Sequence, residues 1–115
     1  MTKQQKQDWL TALRSGDYVQ GTGCMFNGVN HCCLGVLAEL HGIKRSELDN
    51  NEAYTLCSNI IAPDYNTSDG DTTPVLEEIY CVNDNSEWDS VHNKRIFPKN
   101  YTNVIPFIEA LETED

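Results

Sequence analysis

The sequence predicts a single α+β domain in which an N-terminal, a central and a C-terminal helix pack around a small antiparallel sheet. Three observations support this prediction. Apolar stripes with helical spacing lie near both ends of the chain, an apolar helix-like segment lies in its first half, and an Asn27-Gly28 pair separates two short stretches that can pair as strands. At 115 residues, the chain has room for one domain, residues 1–115.

The first predicted helix lies between Thr2 and Gly16. Thr2 and Gln5 have the spacing of a capping box, and glycine is common just after the last residue of a helix. The apolar stripe of this helix consists of Trp9, Leu10, Ala12 and Leu13. Its spacing predicts one buried face.

The clearest local signal is the Asn27-Gly28 pair. Asn-Gly is the preferred pair for a type I′ turn, because both central residues of that turn need positive φ. We therefore expect a β-hairpin at Asn27-Gly28, and we expect the small sheet to contain it.

The central helix is predicted from Cys32 to Leu40, with Gly42 just beyond its end. Its apolar residues share one helical face, so we expect residues 34–40 to be the most buried segment. Glycine inside a helix costs about 1 kcal/mol relative to alanine, so Gly35 predicts that another part of the chain packs closely against it.

Two further helices are predicted in the second half. Pro74 is suited to the first position of a helix that runs through Tyr80 and is followed by a turn at residues 83–86. An apolar stripe with Pro106 in its first turn predicts a C-terminal helix from about Asn103.

Three segments are harder to interpret. Within residues 43–73, Leu56, Ile60 and Ile61 fit either a strand or a helix edge, and residues 86–99 are a polar stretch for which a second hairpin is one interpretation. The loop at 64–73 resembles a calcium-binding loop, but its glycine stands one position too late and its twelfth residue is valine, so we reject calcium.

The formal net charge of −10 narrows the class of partner. A negative field repels nucleic acid and anionic lipid and favours a basic partner surface, so we expect neither direct nucleic-acid binding nor membrane binding. Residues 47–91 contain no lysine, arginine or histidine and are the expected acidic face. No apolar run is long enough for a membrane span, and the N-terminus lacks the apolar stretch of a signal peptide.

The five cysteines predict reduced thiols rather than a disulfide framework, because their number is odd and two are adjacent. The sequence has no C-x-x-C motif, and only Cys24, His31 and Cys32 could supply neighbouring metal ligands. We expect no metal and no cofactor.

A cysteine-dependent hydrolase or transferase is the enzymatic alternative. Cys32 or Cys33 precedes a helix, where the helix dipole favours a thiolate, and His92 could act as the base. Asn83, Asp84 or Asn93 would then orient the imidazole. The competing interpretation is that both thiols pack in the core and are inert.

A ligand site is predicted between the first helix and the Asn27-Gly28 turn. Arg14, Tyr18, Gln20 and Thr22 lie among glycines that permit close backbone approach, and they could bind a small anionic ligand. Asn83 and Asp84 complete the predicted ligand-binding set. The alternative is local, with Arg14 at a helix end and the glycines only turning the chain.

Two blocks of the sequence resemble a widespread family of small, uncharacterised phage and prophage proteins. The first block is Trp9-Leu10, Ala12-Leu13-Arg14-Ser15-Gly16, Tyr18, Gln20-Gly21 and Gly23, followed by Cys32-Cys33-Leu34-Gly35-Val36-Leu37. The second, weaker block is Val82-Asn83-Asp84 with Tyr101, Val104-Ile105 and Ile108-Glu109. The glycine that follows Asn-Asp in the family is absent here, and residues 86–99 look like an insertion.

The resemblance implies a phage context without a defined chemistry. Together with the small size and negative charge, it leads us to expect a phage-encoded accessory protein that binds and inhibits or sequesters a host component in the host cytoplasm. Host takeover or counter-defence is the expected setting. The expected partner is a host protein or a small signalling molecule. Formation of a homo-oligomer is a further alternative.

Overall fold

The computed structural model describes residues 1–63, 74–96 and 99–113. Within these residues it contains five α-helices and one two-stranded antiparallel sheet, so the predicted α+β class is confirmed. The helices are α1 (Lys3–Arg14), α2 (Cys33–Leu40), α3 (Asn51–Ile61), α4 (Pro74–Asp84) and α5 (Ile105–Glu109), and the strands are β1 (Glu87–Asp89) and β2 (Lys94–Ile96). A short 3-10 turn, Arg45–Glu47, precedes α3.

Helix α1 begins with the predicted capping box. The Thr2 hydroxyl accepts a hydrogen bond from the Gln5 N–H at 3.1 Å, and the Gln5 side-chain oxygen accepts one from the Thr2 N–H at 2.8 Å. The buried side chains of the helix are Trp9, Leu10 and Leu13. This face packs against α2 and α5.

Helix α2 lies at the centre of the molecule and packs against α1, α3 and α4. Its first six residues, Cys33 to Ala38, are all buried, whereas Leu40 is exposed. A Cβ atom at Gly35 would overlap the backbone carbonyl of Met25, so the predicted close packing at Gly35 is confirmed.

The Asn27-Gly28 turn differs from its prediction. It closes a single antiparallel bridge, Phe26 with His31, and the two-stranded sheet does not contain it. Gly28 has a φ of 98°, but Asn27 does not adopt positive φ, so the turn is not of type I′. The Asn27 side chain instead accepts hydrogen bonds from the N–H groups of residues 29 and 30, an Asx turn that competes with strand pairing.

The helices in the second half of the chain also have boundaries that differ from those predicted. Helix α3 occupies most of the described part of residues 43–73. Helix α4 continues to Asp84 rather than ending before a turn at 83–86. Helix α5 begins at Ile105 rather than near Asn103. The predicted polar loop at 64–73 lies outside the described residues.

The sheet is the second hairpin that residues 86–99 suggested. Strands β1 and β2 pair with Trp88 opposite Arg95, and all six strand residues are exposed or half-buried. The Trp88 side chain is 59% exposed. The helices therefore form the core, and the sheet lies outside it. Among the helices of the described ranges, none combines the length and the apolar character that crossing a membrane requires.

Candidate functional site

Gln20 and Asn83, two of the predicted ligand-binding residues, lie together in the interior, 7% and 0% exposed. The Gln20 amide nitrogen donates to the backbone oxygen of Asn83 at 3.1 Å and to the side-chain oxygen of Asn103 at 3.0 Å. The Gln20 side-chain oxygen accepts from the Tyr101 N–H at 2.6 Å. We call this group, with Asp84, the Gln20 network.

Asn83 extends the Gln20 network to α2. Its side-chain oxygen accepts from the N–H of Cys33, the first residue of α2, at 3.0 Å. Its amide nitrogen donates to the Gly21 carbonyl at 2.9 Å and to Asp84 Oδ1 at 2.8 Å. Asp84 Oδ2 in turn accepts from the N–H of Gly23 at 3.0 Å. Asn83 therefore connects α4, α2 and the loop after α1.

These hydrogen bonds give the predicted ligand residues a structural role. Both side-chain polar atoms of Gln20 and of Asn83 have partners within the chain, as buried polar groups require. Gln20, Asn83 and Asp84 are brought together, the first two in the interior and Asp84 half-buried beside them. Ligand binding by this set stays a prediction.

The other three predicted ligand residues are dispersed. Arg14 forms an ion pair of 2.7 Å with Glu109 of α5, and both side chains are about half exposed. Tyr18 packs edge-on against His31 and lines a shallow depression with the acidic residues Asp8 and Asp17. These carboxylates disfavour the anionic ligand expected there. Thr22 is half-buried in the loop that follows.

The thiols of the enzymatic alternative are in the core. Cys32 and Cys33 are fully buried, and burial raises the pKa of Cys32 to about 12 and that of Cys33 well above its usual value. His92 lies on the β1–β2 hairpin with a side chain 68% exposed, and it pairs with Asp89 at 2.6 Å. These features are the opposite of what a thiol nucleophile needs, which is an exposed thiol of lowered pKa near an imidazole.

All five cysteines are free. Within residues 1–63, 74–96 and 99–113, no group of three or more histidine, cysteine, aspartate or glutamate side chains could hold a metal ion. Cys24, which the sequence placed near His31 and Cys32, is half-buried.

A cleft that the sequence did not predict lies where α2, α3 and α4 meet. Its volume is about 300 Å³, and its lining is mostly apolar. We call it the tyrosine cleft, and its lining residues are Leu34, Tyr54, Leu76, Glu77, Tyr80 and Cys81. Its lining combines buried side chains with the half-buried Tyr54 and Tyr80 and the exposed Glu77 and Cys81.

The wall of the tyrosine cleft is a face of α4. Leu76 and Tyr80 are four residues apart, as are Glu77 and Cys81, so these pairs lie next to each other on one side of the helix. From the sequence, Leu76 and Tyr80 belong to an ordinary apolar stripe. The cleft could not be predicted because Tyr54 comes from α3, which the sequence did not identify as a helix.

The electrostatic surroundings of the tyrosine cleft are negative. Burial, followed by the proximity of Cys32 and then of the Asp49 carboxylate, raises the pKa of Tyr54 to about 12. Burial and then the charge of Asp84 hold the pKa of Tyr80 well above its usual value. Glu77 lies on the cleft wall and is exposed. The cleft thus combines two phenol rings with a carboxylate and a surrounding negative field.

A family model described as a domain of unknown function (DUF8296) matches residues 1–69. The matched segment contains α1, α2 and α3, including Tyr54 of the tyrosine cleft, whereas α4, the hairpin and α5 lie beyond it. No curated protein and no solved structure matches the sequence.

Proposed function

The chain belongs to the family of this domain of unknown function (DUF8296), and we propose that this member of the family is a phage-encoded accessory protein. In this proposal it binds a host component and inhibits or sequesters it, in host takeover or counter-defence. The resemblance of Trp9 to Gly23 and of Cys32 to Leu37 to phage and prophage proteins supports the phage origin. The protein would act in the host cytoplasm.

The observation that carries the binding function is the tyrosine cleft. Binding sites are concave and mostly apolar with a few polar groups, and typical volumes begin at roughly 300 Å³. The tyrosine cleft has that volume and character. Tyrosine is also enriched among the residues that contribute most to binding at protein interfaces. A cleft at the lower end of this range suits a side chain of a protein partner better than a large ligand.

The enzymatic alternative has no comparable support. Its thiols are buried, and Asp89 is the partner that His92 has in the structure. Among the residues that the structure describes, the titratable side chains that line the tyrosine cleft are Tyr54, Glu77, Tyr80 and Cys81. None of the three histidines is among them.

The exposed thiol of Cys81 provides a direct test, because it lies on the wall of the tyrosine cleft. The full chain, immobilised and saturated with host lysate, would be treated with iodoacetamide, and each cysteine would be quantified by mass spectrometry. We expect alkylation of Cys81 to slow at least fivefold in the lysate-loaded protein. The matched control is lysate that has first been passed over the same immobilised protein to remove its partners. This lysate should leave the rate of Cys81 alkylation unchanged.

The same labelling experiment can contradict the proposal. If host proteins are retained while Cys81 reacts at the rate of the free protein, the partner does not occupy the tyrosine cleft. If Cys32 or Cys33 is alkylated rapidly in the native protein, and this labelling is lost in His92→Ala, the cysteine enzyme replaces the binding protein.

A further inference from the structure

We propose that the tyrosine cleft binds a lysine or arginine side chain presented by the protein partner. This inference rests on the proposed function, because it specifies the chemistry of the partner at the same site. Four features of the cleft lead to it: its size, its mostly apolar lining, its two phenol rings and its acidic surroundings.

The size and the apolar lining of the tyrosine cleft suit the stem of a long side chain. Leu34 and Leu76 are almost fully buried, so the accessible apolar surface of the cleft comes mainly from the half-buried Tyr54 and Tyr80 and from the exposed Cys81. Lysine and arginine pack their methylene groups along such surfaces while their charged end stays near water. A cleft of about 300 Å³ has room for one such side chain and for part of the residues next to it in the partner.

The phenol rings favour a cation over a neutral group of the same shape. Tyr54 and Tyr80 come from different helices, α3 and α4, and both line the tyrosine cleft. An ammonium or guanidinium group near the face of an aromatic ring is attracted by the ring quadrupole. Because both rings line the cleft, both can contribute to this attraction.

The negative charge around the tyrosine cleft also favours a basic side chain. Glu77 lies on the cleft wall, and Asp49 and Asp84 are near enough to raise the pKa values of Tyr54 and Tyr80, respectively. Residues 47–91, which supply Tyr54 and all of α4, contain no lysine, arginine or histidine. The net charge of −10 adds a long-range field that attracts basic surfaces and repels anions.

The experiment is an NMR titration of the full ¹⁵N-labelled chain with three short peptides. Each has a central residue flanked by two leucines, and that residue is lysine, norleucine or glutamate. We expect the lysine peptide to shift the amide signals of Tyr54, Glu77 and Cys81 at the lowest concentration. The norleucine peptide should need several-fold more, and the glutamate peptide should leave these signals unmoved.

Two variants make the titration specific. Glu77→Gln removes the carboxylate on the cleft wall and should weaken binding of the lysine peptide about two- to fivefold, the range for a partly exposed charge pair. Glu78→Gln is the matched control. It removes the same charge from the next residue of α4, which is exposed and does not line the cleft, so the affinity should stay unchanged.

Several outcomes would overturn the inference. They are equal binding of the lysine and norleucine peptides, equal effects of the two glutamate variants, and no cleft shifts at roughly 5 mM lysine peptide, which corresponds to negligible affinity. Equally strong shifts with spermidine would assign the cleft to a free polyamine instead of a protein side chain. If Cys81 is nevertheless protected by a host protein, the proposed function stands and only the cationic chemistry is wrong.

Discussion

Gln20 forms hydrogen bonds with residues that are far from it in the sequence. Its partners are Asn83, Tyr101 and Asn103, more than 60 residues away. Tyr101 is fully buried with a φ of 58°, a conformation that costs a non-glycine residue of order 1–3 kcal/mol. The Gln20 side chain accepts the Tyr101 N–H, and the Tyr101 hydroxyl donates to the His31 carbonyl at 2.8 Å. These bonds hold the strained residue in place.

Replacing Gln20 tests this role. Gln20→Ala leaves the buried Tyr101 N–H and the half-buried Asn103 side-chain oxygen without this partner, and we expect the free energy of unfolding to fall by about 2–3 kcal/mol. Urea denaturation measures this. The control Gln4→Ala, at an exposed position of α1, should change stability by less than about 0.5 kcal/mol. Equal effects of the two variants would show that the Gln20 network contributes no stability.

The chemistry of single residues could be predicted from the sequence only in part. Thr2, Gln5 and Gly35 act as predicted because their signals are local. The sequence predicts a ligand site at Gln20 because polar residues beside glycines are typical of one, whereas Asn83, also in the predicted set, has no glycine beside it. Their mutual hydrogen bonding spans 63 residues, and no spacing rule reveals such a pair.

Among the elements, the C-terminal end of α2 is fixed by a cluster around Glu39. The Arg45 guanidinium donates to its two carboxylate oxygens at 2.8 and 3.2 Å, and His31 lies 3.2 Å away. Hydrogen bonding by Arg45, followed by that of His31, lowers the pKa of Glu39 to about 2. Helix α2 is thereby joined to the 3-10 turn and to the strand-like segment before it.

This cluster predicts a pH dependence. Because the pKa of Glu39 is lower in the folded state, its stabilisation is complete above the ordinary value of 4.5 and is lost as the pH falls towards about 2. We expect the stability difference between the wild type and Glu39→Gln to be largest near pH 7 and to shrink between pH 4.5 and 2. Urea titrations across this range measure it.

Arg45→Gln removes the largest cause of the lowered pKa and should flatten the same part of the wild-type pH profile. A wild-type-to-Glu39→Gln difference that stays constant down to pH 2 would contradict the assignment.

Element prediction succeeded where the ends of a helix carry signals. Helix α1 has a capping box, and α2 ends beside Gly42, whose φ is 96°. Helix α3 has neither a side-chain cap nor a basic last turn, and its apolar residues fit a strand equally well. Helix α4 extends beyond its predicted end because the side-chain polar atoms of the buried Asn83 form hydrogen bonds inside the protein. These are tertiary contacts, so the local sequence does not predict them.

At the scale of the whole molecule, the charge of −10 acts against folding, since the folded state brings like charges together. Salt screens this repulsion, with a Debye length of about 10 Å at 0.1 M. We therefore expect the melting temperature at pH 7 to rise between 10 and 200 mM sodium chloride. A gain of about 1 kcal/mol would correspond to roughly 4–8 °C in a small domain.

Calorimetry at both salt concentrations measures this shift, and the control is the same pair of scans near pH 4.5, the isoelectric point. There the repulsion is largely absent, so added salt should change the melting temperature little. A melting temperature that falls with salt at pH 7 would mean that attractive pairs such as Arg45–Glu39 outweigh the repulsion.

The long span of the Gln20 network has a consequence during synthesis on the ribosome. When residues 1–69 have left the exit tunnel, Gln20, the Gly21 carbonyl and the Cys33 N–H still lack the partners that Asn83 and Tyr101 provide. The central helix can form early, but its first turn stays incompletely bonded until residues 83–103 follow. We therefore expect folding of this chain to be completed only after most of it has been translated, because residues 83–103 supply the hydrogen-bond partners of the Gln20 side chain.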